Sequence, residues 1–226
     1  MGKYIQIHGS SDKFEVNNIF CVGKNYLDHI KEFGQSEAPK KPVIFLKPNS
    51  AVTGDNSRIA LPVINGRKIS ENVHYETEMV VAISKDGINL TEDEVSDYIF
   101  GYAIGLDLTL RDVQGEAKKS GLPWATAKGF INSAPVGNIV RKEEIENPMN
   151  SDIELIINNE RKQFSNTNLM IINIYKLISY ISTVFGISKG DLIYTGTPKG
   201  VGQINPGDEL KAVLSNKYEL NVKFDG

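Results

Sequence analysis

Cysteine is almost absent: Cys21 is the only one in 226 residues. That excludes an intrachain disulfide and a cysteine-rich zinc site. Set in Ile-Phe-Cys-Val, Cys21 reads as a small buried hydrophobe. Histidine is scarce too, with three in the chain, so any histidine near a partner carboxylate stands out. No apolar run approaches the roughly 18 residues that a membrane-spanning helix needs. Positive charge is not in excess, with a formal net charge of −3, so there is no basic footprint for nucleic acid or an anionic membrane. The opening residues show neither a signal-peptide core nor an Arg-rich amphipathic pattern, and Gln6 stands where a myristoylation motif needs Ser or Thr. A reducing cytoplasm is the expected location. Internal repeats, low-complexity segments and linker-like stretches are also missing. A single domain over residues 1–226 is therefore expected, with 1–16 a short N-terminal strand region.

What is present is mostly strand. Residues 3–8 alternate like an edge strand, and 17–23, 42–46 and 59–65 read as short strands. Residues 75–84 and 98–108 read as central strands. Residues 152–164 form a hairpin around Asn158-Asn159, and strands at 191–195, 208–214 and 218–224 finish the chain. Helices are predicted at 25–33, ended by Gly34, at 109–119, and at 168–185, ended by Gly186. Thr91 and Glu94 form a capping box before another short helix. With no regular strand–helix alternation, the pattern argues for an α+β fold built on a large mixed sheet.

Three carboxylates sit in apolar strand sequence. Glu76 and Glu78 are two apart, so on one strand they share a face. Asp107 lies in Ile-Gly-Leu-Asp-Leu-Thr-Leu. Buried like charges repel, and an all-oxygen divalent-cation site would relieve them. Spacing alone fits equally a solvated strand edge, with Asp107 paired to a lysine or arginine. His74 shares the face of Glu76 and is a lesser ligand candidate. His29 and Glu32 are three apart on a predicted helix, the spacing of a general base with its orienting carboxylate. Lys47 and Lys128 lie in apolar surroundings, suited to an oxyanion, a substrate carboxylate, a Schiff base or simple snorkelling. The Gly-rich stretch 194–202 offers backbone N–H groups and Thr197 to an anion.

Taken in order, Val22-Gly-Lys-Asn-Tyr-Leu-Asp-His29, Pro42-Val-Ile-Phe-Leu-Lys-Pro48, His74-Tyr-Glu-Thr-Glu78, residues 101–114, 121–128 and 190–202 resemble the fumarylacetoacetate hydrolase family, most closely its small acylpyruvase-type members. The resemblance implies a β-rich, multilayered mixed-sheet fold of the type of that family's C-terminal domain, and a homodimer. It implies Mg²⁺ or Mn²⁺ (Ca²⁺ in some crystals) on Glu76, Glu78 and Asp107, and a small 2-oxo acid as substrate. It makes His29 with Glu32 a catalytic dyad on a lid, and Lys128 a catalytic or oxyanion-stabilising group. It makes Tyr26, Lys47, Arg111, Gln114 and Thr197 substrate-binding groups. Some relatives carry a further acidic residue where this chain has Asn25, so three protein carboxylates are expected. The activity implied first is metal-dependent C–C bond hydrolysis of acylpyruvates through a pyruvate enolate, with oxaloacetate decarboxylation on the same site. The alternative is an isomerase, tautomerase or decarboxylase of 2-oxo dicarboxylates such as oxaloacetate.

Overall fold

A computed structural model describes residues 2–34 and 36–226. The fold is α+β and dominated by two mixed sheets. The six-stranded sheet runs Val140–Arg141, Ile99–Leu106, Thr77–Ile83, Leu192–Tyr194, Ile19–Gly23, Val43–Lys47, with one parallel pair, 192–194 beside 19–23. The five-stranded sheet runs Glu160–Asn166, Asp152–Ile157, Glu209–Leu214, Tyr218–Phe224, Ser57–Ile59. Asn158 and Asn159 take positive φ between the first two of these strands, the geometry of a tight hairpin turn.

Alternation along Thr77–Ile83 explains the layers. Met79, Val81 and Ile83 face one side, where they join Ile104, Leu106, Ile153, Leu155 and Leu220 in a core shared with the five-stranded sheet. Val80 and Ala82 face the other side and pack with Ala103, Tyr194 and the N-terminal ribbon residues Ile5, Phe14 and Val16. The strand is therefore buried at every position, which is why it reads as a near-continuous apolar run. Cys21 is fully buried in this second core.

The predicted central strand at 75–84 is really two strands with a break at Glu76. Val73–Tyr75 belongs to a small three-stranded sheet with Thr109–Leu110 and Gly202–Gln203, while Thr77–Ile83 belongs to the six-stranded sheet. The partner chain breaks at the same level, between Ile99–Leu106 and Thr109–Leu110. Register is kept across the gap. Thr77 pairs with Leu106 and His74 with Thr109, so Glu76 faces Asp107, whose N–H donates to the Glu76 carbonyl at 2.8 Å. A single antiparallel ladder thus creases from one sheet into another with two carboxylates at the fold line.

The helices are short: α1 (Leu27–Glu32), α2 (Arg111–Lys119), α3 (Ala125–Lys128) and α4 (Ile174–Val184). The helix expected over 168–185 is interrupted. Thr167–Leu169 is a single 3₁₀ turn, and α4 begins only after Asn173, whose Oδ1 caps the Lys176 N–H at 2.9 Å. Tertiary bonds explain the break: the N–H groups of Ile171 and Ile172 donate to the Asn25 carbonyl and Asn25 Oδ1, both at 2.8 Å, so they are unavailable to a helix. Only half of the Thr91–Glu94 box forms: the Thr91 N–H donates to the Glu94 carboxylate at 2.9 Å, but the Thr91 hydroxyl turns to the same carboxylate. The element that follows is a 3₁₀ turn, Val95–Tyr98, with Glu94 at its cap position.

Gly101 sits where the sheet edge comes closest: a β-carbon there would lie 2.0 Å from the Val140 carbonyl oxygen. Gly101→Ala is expected to cost about 1–3 kcal/mol through forced strand separation. The urea midpoint should fall with an unchanged slope.

Candidate active site

The crease gathers the charges. Residues facing one another in an antiparallel pair point to the same side, so Glu76, Asp107 and Glu78 share a face. Their ligand oxygens lie within 4.8 Å of one another, and all three residues are buried. Three cations surround them. Lys128 Nζ donates to Glu76 at 2.7 Å and to Asp107 at 2.5 Å. Arg111 donates to the other Glu76 oxygen, and Lys47 Nζ lies 2.8 Å from Asp107 Oδ1. The two readings of Asp107 left open by spacing are both present: it pairs with lysines and it belongs to a carboxylate cluster.

The three carboxylates are not equivalent. Burial opposes ionisation of Glu76, but Lys128 and Arg111 outweigh it and hold the carboxyl well below the usual range. Glu78 has no ion-pair partner among the described residues, only the Gly196 N–H donating at 2.7 Å. Burial, then the nearby charges of Asp107 and Glu76, push its carboxyl well up. A cation beside Glu78 would remove that repulsion. Three buried oxygen donors converging on one point, with one of them short of positive charge, fit Mg²⁺ or Mn²⁺ in donor type and number. His74 is outside the cluster; its burial, with the charge of Arg111, lowers its pKa to about 4.

The Gly-rich turn does bind anions, but they are the protein's own. The Gly196 N–H serves Glu78, and the Gly200 N–H donates to Glu32 Oε1 at 3.0 Å. Gly196 has φ +95°, and a β-carbon would meet Asn25 Cβ at 2.7 Å, so only glycine lets the turn reach Glu78. The other Glu32 oxygen lies 3.4 Å from His29 Nδ1. Helix α1 is thereby pinned to the turn, with Asp28 and Lys199 adding a 3.2 Å pair at the surface. Burial lowers the His29 pKa against the opposing pull of Glu76 and Glu32, so the ring is neutral at physiological pH with its Nδ1 side held by a carboxylate.

A cleft opens over these groups. His29 lines it, as do Glu76, Glu78, Arg111, Gln114, Lys128 and Thr197. Arg111 and Gln114 share a face of α2 and are bonded at 2.8 Å. Two expected substrate-binding residues are elsewhere. Lys47 is fully enclosed behind Asp107, donating to the carbonyls of Leu108, Lys128 and Ser133, so it neutralises Asp107 and ties these segments together. Tyr26 is buried at the start of α1 and borders a separate groove with Phe164 and Leu169. Asn25 is buried and bonds backbone at Ile172 and Thr195. Lys128 is held protonated: burial opposes its charge, but Asp107 and Glu76 raise its pKa. That argues against a Schiff-base amine, which must be neutral to attack.

Several lining groups escaped sequence reasoning: Lys24, Phe33, Phe45, Lys118 and Trp124. Lys118 was findable, being seven residues after Arg111 and so on the same helical face. Gln163 was not. It is buried on an expected hairpin strand, yet it accepts from the Thr77 N–H at 3.0 Å and donates to Thr197 Oγ1 at 3.0 Å, joining the crease to the turn.

Residues 18–224 match the fumarylacetoacetate (FAA) hydrolase C-terminal family. The chain is 44% identical over 207 residues to a mitochondrial oxaloacetate tautomerase of Bos taurus, covering 90% of this chain and 91% of that one. It is 42% identical over 214 residues to an oxaloacetate tautomerase of Escherichia coli K12, covering 94% and 90%. In structure it resembles fumarylpyruvate hydrolase from Pseudomonas aeruginosa in complex with Mn²⁺ and pyruvate, with a TM-score of 0.91 at 33% identity over 99% and 95% of the two chains.

Without metal, the raised Glu78 carboxyl contributes stability that is fully present below its unfolded pKa and is lost as pH climbs through its folded value. Metal-free Glu78→Gln is therefore expected to melt several degrees above metal-free wild type at pH 7–8, and at the same temperature near pH 4. Adding Mn²⁺ should raise the wild-type melting temperature and leave the variant's unmoved.

Proposed function

The chain belongs to the fumarylacetoacetate hydrolase family, and from that premise we propose that it is a divalent-metal-dependent oxaloacetate keto–enol tautomerase. The observation that carries this reading is the pairing, in one cleft, of a neutral His29 oriented by Glu32 with Glu76 and Glu78, whose cluster Asp107 completes beneath the cleft surface. Keto–enol exchange needs a base for the C3 proton and positive charge at the 2-oxo oxygen, and it needs no nucleophile. The end-to-end similarity to oxaloacetate tautomerases of an animal and a bacterium supports this order of preference over hydrolysis.

In this reading Glu76, Glu78 and Asp107 hold Mg²⁺ or Mn²⁺, which supplies Lewis-acid polarisation of the 2-oxo group when bound. Arg111, with Gln114 beside it, orients the C1 carboxylate. His29 removes a C3 proton, and Glu32 stabilises the imidazolium that forms. The Lys128 ammonium, kept charged by Glu76 and Asp107, balances negative charge as it grows on the substrate oxygen. Delivery of that proton from His29 to the 2-oxo oxygen gives the enol, and its return to C3 restores the keto form. Phe33 packs edge-on to His29 at 5.0 Å and lies 5.2 Å from the Arg111 guanidinium, so it screens the proton-transfer region from water.

Hydrolysis of acylpyruvates, the activity implied first by sequence resemblance, is the second reading. It is favoured by the structural likeness to the fumarylpyruvate hydrolase, and it requires the same His29–Glu32 pair to deprotonate water instead.

His29→Ala is expected to lower kcat/KM for oxaloacetate tautomerisation by about 10²–10⁴-fold with Mn²⁺ affinity unchanged. Chelator should abolish the reaction, and Mg²⁺ or Mn²⁺ should restore it; full activity in metal-free protein would refute the assignment. Because the His29 pKa is lowered, the active neutral form persists below the ordinary histidine range near pH 6.5. The acid limb of a kcat/KM profile should therefore fall below that value, and an acid limb above it would exclude His29 as the base.

A further inference from the structure

Deep in the cleft the basic side chains are already paired: Arg111 with Glu76, Lys128 with Glu76 and Asp107, and His29 with Glu32. The mouth is different. Lys24 and Lys118 line the same cleft, and neither has an ion pair or side-chain hydrogen bond among the described residues.

Neither lysine is placed incidentally. Lys24 has φ +62°, a left-handed conformation that glycine adopts without strain and a lysine does not. The chain is locked there by the next residue: Asn25 Nδ2 donates to the Ile172 carbonyl at 2.9 Å and to the Thr195 carbonyl at 2.8 Å. Lys118 continues the face of α2 that carries Arg111 and Gln114. It stands at the rim, with Nζ 5.1 Å from the Trp124 ring, an apolar platform beside the opening. Partial burial of the ammonium, followed by the charges of Arg111 and Lys128, lowers its pKa, and Lys24 contributes in the same direction. Two like charges without a partner, converging on one opening, make a receptor for an anion.

We propose that Lys24 and Lys118 form the subsite for the second carboxylate of a 2-oxo dicarboxylate, and so select dianions such as oxaloacetate over monocarboxylates such as pyruvate. This rests on the reading of the inner cleft as the 2-oxo acid site. The C1 carboxylate and 2-oxo oxygen are engaged at the crease, and the far carboxylate then extends toward the mouth, where free positive charge meets it. An uncharged acyl group in that position gains nothing from either lysine.

Calorimetric titration of the Mn²⁺-loaded protein tests this, with non-enolisable 3,3-difluoro-oxaloacetate and pyruvate as probes. Lys24→Gln and Lys118→Gln should each weaken the difluoro-diacid about 5–10-fold, and the double variant about 30-fold or more, while pyruvate affinity moves less than about twofold. Lys118→Arg should retain most of the diacid affinity, and the wild-type preference should shrink in high salt. Equal weakening of both probes, or an unchanged diacid affinity, would overturn the subsite. A wild type that shows the affinity split yet fails to tautomerise oxaloacetate would remove the proposed reaction and support the subsite. Tautomerisation without the split would remove the subsite alone.

Discussion

Three carboxyl groups buried within 4.8 Å of one another are the constraint from which the rest of this architecture follows. Such a cluster is stable only if positive charge and hydrogen-bond donors converge on it from several directions. No single element provides them. Lys128 comes from α3, Arg111 from the first position of α2, Lys47 from the end of an edge strand, and the Gly196 N–H from the turn after Leu192–Tyr194. The crease between sheets is where all four meet, because two paired strands leave one sheet and enter another at the same register.

The same arrangement separates roles chemically. Glu76 is over-supplied with cations and stays ionised, while Glu78 has none and is pushed toward the protonated form. A divalent ion would even out that imbalance. Across the cleft His29 is tied to Glu32, which the Gly200 N–H holds in place. Lys47 is enclosed behind Asp107, which it neutralises, and donates to the carbonyls of Leu108, Lys128 and Ser133.

Much of the site was legible because chemistry-bearing residues stand out in apolar sequence. Asp107 within a run of aliphatic residues, Glu-x-Glu on a strand and His29 three residues from Glu32 are local patterns with local meaning. Misreadings arose where a partner was distant. Lys47 looked like a pocket lysine because its neighbours are apolar, and that context is the same for an enclosed lysine facing Asp107, 60 positions on. The Gly-rich turn looked like a receptor for a ligand anion, when its donors go to Glu78 and Glu32. The helix expected over 168–185 was broken by Asn25, about 145 residues earlier, which captures two backbone N–H groups that helix periodicity alone would assign inward. Gln163 offers no local signal at all.

What the sequence by itself determined is the set of parts: an α+β, strand-dominated chain, three carboxylates able to hold a hard cation, a histidine with its orienting glutamate, and the order of motifs that marks the family. Those follow from residue type and short-range spacing, which side-chain chemistry and backbone period read directly. Only the tertiary structure decided which cation neutralises which carboxylate, that Glu76 and Asp107 meet at a fold line between sheets, and that Lys24 and Lys118 share a mouth. Electrostatic pairing acts through space over a few ångströms, and positions a few ångströms apart here are separated by up to more than a hundred residues of chain.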